Sequence, residues 1–212
     1  MKGLGRIRPA IGVIDYGAGN LVSIEQALTS VGAEVRFITD GAGFETLDGL
    51  VVPGVGAAGP AMERLQDRGS VAPIRDWVAS GRPFLGICLG LQLLFDGSDE
   101  DGAATLGLLR GRTTRLSDAP TLPHIGWNQV VRTRDHRLFE GIPDGADFYF
   151  VHSYAGVPDG SATEAVLATT EHGSSFVSAV ADGALLGVQF HPERSGRDGL
   201  RLLANFVTLV AA

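Results

Sequence analysis

Apolar and polar residues alternate along the first half of the chain in a way that predicts strands separated by helices. Short apolar runs at residues 11–15, 35–38, 50–52 and 84–87 predict four strands. Helical spacing follows at Leu21, Ile24, Leu28 and Val31 behind a possible Asn20 N-cap, and again within 60–67 and 72–79. Strands that alternate with helices predict a parallel sheet covered on both faces.

The second half of the chain has a different pattern. Short β-prone runs at 129–132, 148–151, 166–168, 175–179 and 185–190 predict mixed or antiparallel strands. Leu200, Leu203, Val207 and Val210 again have helical spacing, so a final helix is expected to pack on the sheet. The pattern contains no repeat or linker. We therefore expect one α/β domain over residues 11–212, preceded by an extension of residues 1–10.

Composition and charge narrow the classes of function. Basic residues number 17, are scattered along the sequence, and leave a net charge of −7, which argues against a nucleic-acid partner. Neither a signal peptide nor a membrane-spanning apolar run is recognisable, so we expect a cytoplasmic protein without a membrane partner. The 30 glycines, about twice the usual ~7%, indicate many tight turns or close backbone approaches. One cysteine precludes an intramolecular disulfide and a cysteine-rich metal site.

That cysteine lies in the sharpest local motif, Gly-Ile-Cys-Leu-Gly at 86–90. The motif joins a predicted strand to a helical run that contains Leu91 and Leu94. Such an elbow exposes a nucleophile on a strained turn, and the helix N-terminus favours a thiolate. We predict that Cys88 is a nucleophile; the alternative is a buried cysteine in a tight turn.

A thiol nucleophile needs a base, and the base needs an orienting group. His191-Pro192-Glu193 follows a predicted strand, so the imidazole emerges at the strand end and the carboxylate can turn back to it. On its own, a histidine beside a proline is more often an exposed surface residue without a catalytic role. Together with the elbow, it predicts a Cys88, His191 and Glu193 triad, although His152 is a competing base.

An oxyanion formed by attack on an amide needs two donors. The Leu89 amide at the helix start is one candidate, and the Val55 amide of the Pro-Gly-Val-Gly turn at 53–56 is the other. We expect Gly54 and Gly56 of that turn to border the substrate. Gly54, Gly56 and Gly59 also spell a dinucleotide-binding motif, but two flanking prolines and the lack of a suitably placed acidic residue argue against it.

These motifs resemble those of the class I, or triad, glutamine amidotransferases. The elbow with Gln92 and the His-Pro-Glu segment carry the resemblance to the class. Residues 53–56 followed by Met62, Pro-His-Ile-Gly-Trp-Asn at 123–128 and Tyr-Phe-Val-His-Ser-Tyr at 149–154 resemble the glutaminase subunits of imidazole glycerol phosphate synthases. Without the resemblance, the segments 123–128 and 149–154 are expected to serve packing and capping, and 123–128 is expected in a loop. The resemblance extends from about Ile11 to the C-terminal helix.

The resemblance implies a flavodoxin-like three-layer fold and glutamine hydrolysis without a metal or organic cofactor. It implies a heterodimer with a (β/α)8-barrel cyclase subunit, to which ammonia passes through a tunnel for histidine biosynthesis. The implied glutamine contacts are Gln92, His152, Ser153 and Tyr154. The implied partner-facing residues are Asn20, Trp127, Tyr149 and Arg194.

Two positions depart from the family pattern. Ala58 stands where phenylalanine is usual, and Arg194 stands where lysine is usual, which keeps the charge but changes the geometry. Other functions compatible with the motifs are the glutaminase of a pyridoxal phosphate synthase, a general cysteine hydrolase, or a docking scaffold without catalysis.

Overall fold

The structure, a computed structural model, describes residues 8–212, so most of the predicted N-terminal extension lies outside it. The strands are β1 (Ala10–Ile14), β2 (Glu34–Ile38), β3 (Gly49–Gly54), β4 (Phe84–Cys88), β5 (Gly97–Ser98), β6 (Gly111–Arg115), β7 (His124–Arg132), β8 (Ala146–His152), β9 (Tyr154–Pro158), β10 (Val166–His172), β11 (Ser174–Asp182) and β12 (Leu185–Val188). The α-helices are α1 (Leu21–Ser30), α2 (Ala58–Asp67), α3 (Val71–Ala79), α4 (Leu89–Gln92) and α5 (Gly196–Val210).

The main sheet has nine strands in the order β2-β1-β3-β4-β12-β11-β10-β7-β8. The first five are parallel to one another, and their order matches the flavodoxin-like 2-1-3-4-5 arrangement. From β12 onward the pairs are antiparallel. A smaller mixed sheet has the order β5-β6-β9. This confirms the predicted α/β class, with its parallel part followed by a mixed part.

Two apolar clusters cover the two faces of the sheet. One contains buried residues of α1 and α5, and the other contains those of α2, α3 and α4. Alternation along β3 explains the division, because Val51 faces the first cluster while Leu50 and Val52 face the second. A strand buried on both faces must be apolar throughout, as the run at 50–52 is.

The residues predicted as a loop at 123–128 lie instead on β7, where His124 begins a nine-residue strand. Apolar side chains point outward on this strand, with Ile125 60% and Trp127 56% exposed, while the polar His124 is buried. The pattern is the reverse of a usual half-buried strand, so periodicity favoured a loop. The expected turn at 53–56 also begins later, because Pro53 and Gly54 belong to β3.

The register brings the ends of three parallel strands together. Gly54 at the end of β3 pairs with Cys88 at the end of β4, and Val188 on β12 pairs with Ile87. The segments that follow β3, β4 and β12 therefore leave the sheet at one edge. Ligands bind at this edge in open α/β sheets. In residues 8–212, no helix has the length and apolar character needed to cross a membrane.

Candidate active site

Cys88 lies on the predicted elbow between β4 and α4. Its backbone has φ 54° and ψ −108°, and it is the only non-glycine residue of the described chain with positive φ. Such a conformation costs about 1–3 kcal/mol and is kept where function requires it. It places Cys88 at the N-terminus of α4. The thiol is 4% exposed.

Two glycines make this elbow possible. A Cβ on Gly86 would lie 2.5 Å from the Gly90 carbonyl oxygen, and a Cβ on Gly90 would overlap the Val52 carbonyl oxygen. Any other residue at either position would force β3, β4 and α4 apart. The Gly-x-Cys-x-Gly spacing therefore follows from the close approach of these three elements.

His191 and Glu193 form the hydrogen-bonded pair predicted from the sequence. Nδ1 of His191 lies 2.9 Å from Oε1 of Glu193, and both side chains are buried. The short 3-10 helix Pro192–Arg194 turns Glu193 back towards the imidazole. Nε2 of His191 is buried and makes no hydrogen bond within residues 8–212. That nitrogen is available for proton transfer.

The His191 ring is coupled to the thiol. Burial lowers the pKa of His191, but the Cys88 sulfur and the Glu193 carboxylate raise it by more, to about 10. The ring and the sulfur therefore interact, although Nε2 and Sγ do not form a hydrogen bond of ordinary geometry. Catalytic hydrogen bonds are often long before substrate binds.

A cavity of about 240 Å³ opens at Cys88. It contains most of the residues expected around glutamine: Val55, Gly56, Leu89, Gln92, His152, Ser153 and Tyr154. Glu100, Pro123 and Val151 also line it and were not predicted. His191 and Glu193 lie outside its lining.

Gly54 is next to the cavity rather than in its lining. A Cβ on Gly54 would overlap the Tyr16 hydroxyl, and it would lie 3.0 Å from Cβ of Leu89. Tyr16, which was not predicted, is fully buried and donates a hydrogen bond of 2.9 Å to the Pro53 carbonyl. Close packing against Tyr16 and Leu89 thus explains why residue 54 is glycine, and a dinucleotide site is not needed to explain it. Val55 and Gly56 beyond it are less constrained, since Val55 is 47% exposed and a Cβ added to Gly56 would meet no atom within 4 Å.

Two buried glutamines form a hydrogen-bonded series that ends at the thiol. Nε2 of Gln92 donates to the Tyr154 carbonyl at 2.8 Å and to Oε1 of Gln189 at 3.1 Å. Nε2 of Gln189 in turn donates to Sγ of Cys88 at 3.6 Å. Gln189 was not singled out in the sequence because it lies within an apolar run. A polar amide in such a run must find partners, and this was the signal that could have revealed it.

The expected partner-facing residues lie mostly together. The Arg194 guanidinium is 4.1 Å from the Tyr149 ring centre, and the rings of Trp127 and Tyr149 are 6.2 Å apart. Asn20 is exposed, and its side chain accepts a hydrogen bond from the Ser23 amide as the N-cap of α1. Ala58, at a position of departure from the family, is buried at the start of α2.

The fold and this site define a class of protein, and comparison with known families agrees. The profile described as "Glutamine amidotransferase class-I" matches residues 12–210. Solved structures with the same fold include PurLQS from Thermotoga maritima (TM-score 0.77, 18% identity, covering 96% of this chain and 99% of that one) and a glutamine amidotransferase (TM-score 0.72, 22% identity, covering 95% and 99%). The chain belongs to the class I glutamine amidotransferase family.

Closer relatives narrow the family. The imidazole glycerol phosphate synthase subunit HisH of Moorella thermoacetica is 50% identical over 205 residues, which cover 96% of both chains. The HisH subunit of a Synechococcus strain is 50% identical over 212 residues, covering 98% of this chain and 95% of the relative. Within the class, the chain belongs to the HisH family.

Proposed function

We propose that this chain hydrolyses glutamine to glutamate and ammonia with Cys88, His191 and Glu193. The observation that carries the proposal is the elbow geometry. A cysteine in a strained backbone conformation stands at a helix N-terminus and interacts with a buried imidazole. The opposite nitrogen of that imidazole is held by a carboxylate. This combination supplies a nucleophile, a proton carrier and an orienting group.

In the first half of the reaction, the Cys88 thiolate attacks the side-chain amide carbon of glutamine. A C–S bond forms, and the carbonyl oxygen becomes an oxyanion that the amides of Leu89 and Val55 stabilise. The C–N bond then breaks, and His191 gives its proton to the departing nitrogen. Ammonia leaves, and the glutamyl thioester remains.

In the second half, water hydrolyses the thioester. His191, now neutral, takes a proton from the water as its oxygen attacks the thioester carbon. The C–S bond breaks, glutamate leaves, and the thiolate and the protonated imidazole are restored. Glu193 holds the ring in one orientation through both halves and stabilises its charged form.

The cavity beside Cys88 suits an amino acid substrate. Gln92, His152, Ser153 and Tyr154 surround the bound glutamine, together with Gly56 and the neighbouring Gly54. Glu100 contributes a carboxylate to the same lining. Burial raises the pKa of Glu100, and Asp101 raises it further, so this carboxylate gains from a cationic neighbour. The α-ammonium group of glutamine provides that neighbour.

The released ammonia is delivered to a cyclase subunit in a heterodimer. The partner uses it to form imidazole glycerol phosphate and aminoimidazole carboxamide ribonucleotide in histidine biosynthesis. Support comes from the HisH relatives, which are named as subunits of imidazole glycerol phosphate synthase. Trp127, Tyr149 and Arg194, with Asn20, form the surface that meets this partner.

The test is glutamate release by the chain mixed with a purified cyclase subunit and glutamine. We expect steady release that the Cys88→Ala variant loses completely. Comparison with the isolated chain tests whether the exposed Val55 turn must be set by the partner. Full activity without the partner excludes that gating, and release by Cys88→Ala excludes the thiol mechanism.

A further inference from the structure

The Tyr154 carbonyl oxygen is a fixed point among the buried polar groups behind the cavity. It accepts hydrogen bonds from Nε2 of Gln92 and from Nδ1 of His152, both at 2.8 Å. A carbonyl oxygen can only accept, whereas an amide or an imidazole can be turned either way. This one atom therefore determines the orientation of both side chains.

The orientation continues from Gln92 to the thiol. With its nitrogen directed at Tyr154, Gln92 also donates to Gln189, and the contacting Gln189 atom must be its oxygen. The amide nitrogen of Gln189 is then left to face the Cys88 sulfur. A flip of either amide would place two donors or two acceptors in contact.

The same reasoning fixes two histidine tautomers. His152 donates from Nδ1, so its Nε2 is an acceptor, which requires Nδ1 of His124, at 3.1 Å, to carry the proton. Nε2 of His124 therefore accepts from the Asn128 amide at 3.2 Å. A second main-chain carbonyl, that of Glu171, holds the Asn128 nitrogen at 2.8 Å. Burial lowers the pKa of His124 to about 4 and of His152 to about 3, consistent with neutral rings.

We propose that Gln189 is a further catalytic residue, which stabilises the thiolate by donating its amide hydrogen to the sulfur. Behind it, Gln92 aims that donor, because the Tyr154 carbonyl allows the Gln92 amide only one orientation. Gln92 is therefore a positioning residue. His152, His124 and Asn128 reach the same carbonyl from the other side and do not set the direction of the Gln92 amide. The inference rests on the proposed thiol mechanism, but the hydrogen bond to sulfur can be tested without glutamine.

The test exploits the single cysteine. Iodoacetamide can alkylate only the Cys88 thiol of this chain, and it reacts with the thiolate. The alkylation rate of the full chain, followed by mass spectrometry from pH 5 to pH 9, thus reports thiolate formation at one site. His191 and Tyr16, whose pKa values Cys88 raises, are unchanged in every variant below.

In Gln189→Met, a chain of similar length lacks the donor. A hydrogen bond to a charged group is worth enough to change an equilibrium at least about tenfold, so we expect alkylation at pH 7 to slow about tenfold and its pH profile to move to higher pH. With the cyclase present, kcat should fall and KM should change little. Gln66→Met makes the same change on the exposed side of α2 and should match the unchanged chain.

A double-mutant cycle tests the aiming role of Gln92. Gln92→Met keeps the length of the side chain but removes the amide that orients Gln189, and we expect a smaller decrease in alkylation, of about threefold, a fraction of the hydrogen bond's effect. In a Gln189→Met background, Gln92→Met should have no further effect. Additive effects would overturn the aiming role, because Gln92 would then act on the thiol by another route.

An unchanged rate and pH profile in Gln189→Met would overturn the proposal for Gln189 itself. Where Gln189→Met does not fold, Gln189→Glu keeps the size and the accepting oxygen, and its carboxylate should slow alkylation further. A normal profile in that variant overturns the proposal equally. The proposed function can fail separately. If the variants show the predicted alkylation changes but the unchanged chain releases no glutamate with the cyclase, the proposed function is refuted, while the hydrogen bond from Gln189 to the sulfur still stands.

Discussion

The backbone of Cys88 sets activity against stability at a single residue. Glycine adopts φ 54° without strain, whereas alanine does not. Glycine at this position relieves backbone strain of about 1–3 kcal/mol, but it also adds conformational entropy to the unfolded chain. The net result should be that Cys88→Gly is more stable than Cys88→Ala by about 1 kcal/mol. For a chain of this size we expect Tm to be about 2–4 °C higher by calorimetry. Both variants should be inactive.

A control substitution separates the relief of strain at residue 88 from the general effect of glycine on stability. Ala181 is buried on β11 and has negative φ, so Ala181→Gly should lower Tm. Equal Tm values for Cys88→Gly and Cys88→Ala would show that the elbow stores no strain.

The raised pKa of His191 makes the folded chain sensitive to alkaline pH. The unfolded ring titrates near its usual 6.5 and the folded ring near 10. The contribution of the protonated ring to stability is complete below about pH 6.5 and is lost as the pH rises through 10. Glu193→Gln removes one of the groups that raise the pKa. The difference in unfolding free energy between the unchanged chain and Glu193→Gln should therefore shrink between pH 6.5 and 10.

Urea titrations at several pH values measure this difference. Glu63→Gln, an exposed change on α2, should differ from the unchanged chain by an amount that does not vary with pH. A pH-independent difference for Glu193→Gln as well would mean that the carboxylate does not hold the charged ring.

The sequence predicts the proposed triad because each member is marked by its neighbours. Glycines flank Cys88, and a strand end and a proline bend mark His191 and Glu193. Gln189 and Tyr16 carry no such mark, since each is one polar or aromatic residue beside an apolar strand. Their roles depend on contacts with residues far along the chain, such as the bond between Gln189 and a sulfur 101 positions away. Local patterns do not contain that information.

At the scale of elements, β7 and β8 hold two neutral histidines opposite each other, His124 and His152. Their unfolded rings take up protons below pH 6.5, while the folded rings stay neutral down to about pH 4 and 3. Stability should therefore fall as the pH decreases from 6.5, by up to about 1.4 kcal/mol per pH unit for each ring. His124→Phe removes one ring, so the dependence between pH 6.5 and 4 should become shallower.

Unfolding free energies from urea titrations at pH 6.5, 5.5 and 4.5 measure that slope. Ile125→Phe changes the outward face of the same strand and should leave the slope as it was. An unaltered slope in His124→Phe would contradict a neutral, buried His124.

Helices and strands could be predicted where the buried apolar residues recur with the period of the element. The helices α1, α2, α3 and α5 and the parallel strands all follow from apolar spacing, and the Asn20 cap is confirmed by its bond to the Ser23 amide. The small sheet was missed because β5 has two residues and β6 reads Gly-Arg-Thr-Thr-Arg. Neither strand carries an alternation that a period could reveal.

In the whole molecule, the antiparallel part of the sheet links His191, the proposed base, to the proposed partner surface. The His191 amide donates to the Tyr149 carbonyl at 2.9 Å, and the Tyr149 amide donates to the Ser195 hydroxyl at 2.9 Å. The ring of Tyr149 meanwhile contacts Arg194 on the surface. A partner that packs on these side chains therefore contacts a strand that is hydrogen-bonded directly to the main chain of His191.

Trp127 tests this surface with the least disturbance to the site. Its indole is 56% exposed beside Tyr149, and aromatic anchors of this kind dominate many interfaces. Loss of such an anchor costs at least about 2 kcal/mol, so Trp127→Ala should raise the Kd for the cyclase subunit about 30-fold in calorimetric titrations.

Val157→Ala shortens another exposed apolar residue, 52% exposed on β9, and should leave Kd unchanged. Alkylation of Cys88 in the isolated Trp127→Ala chain should proceed at the normal rate, because the indole does not line the cavity at Cys88. Unaltered affinity in Trp127→Ala would place the partner elsewhere on the molecule.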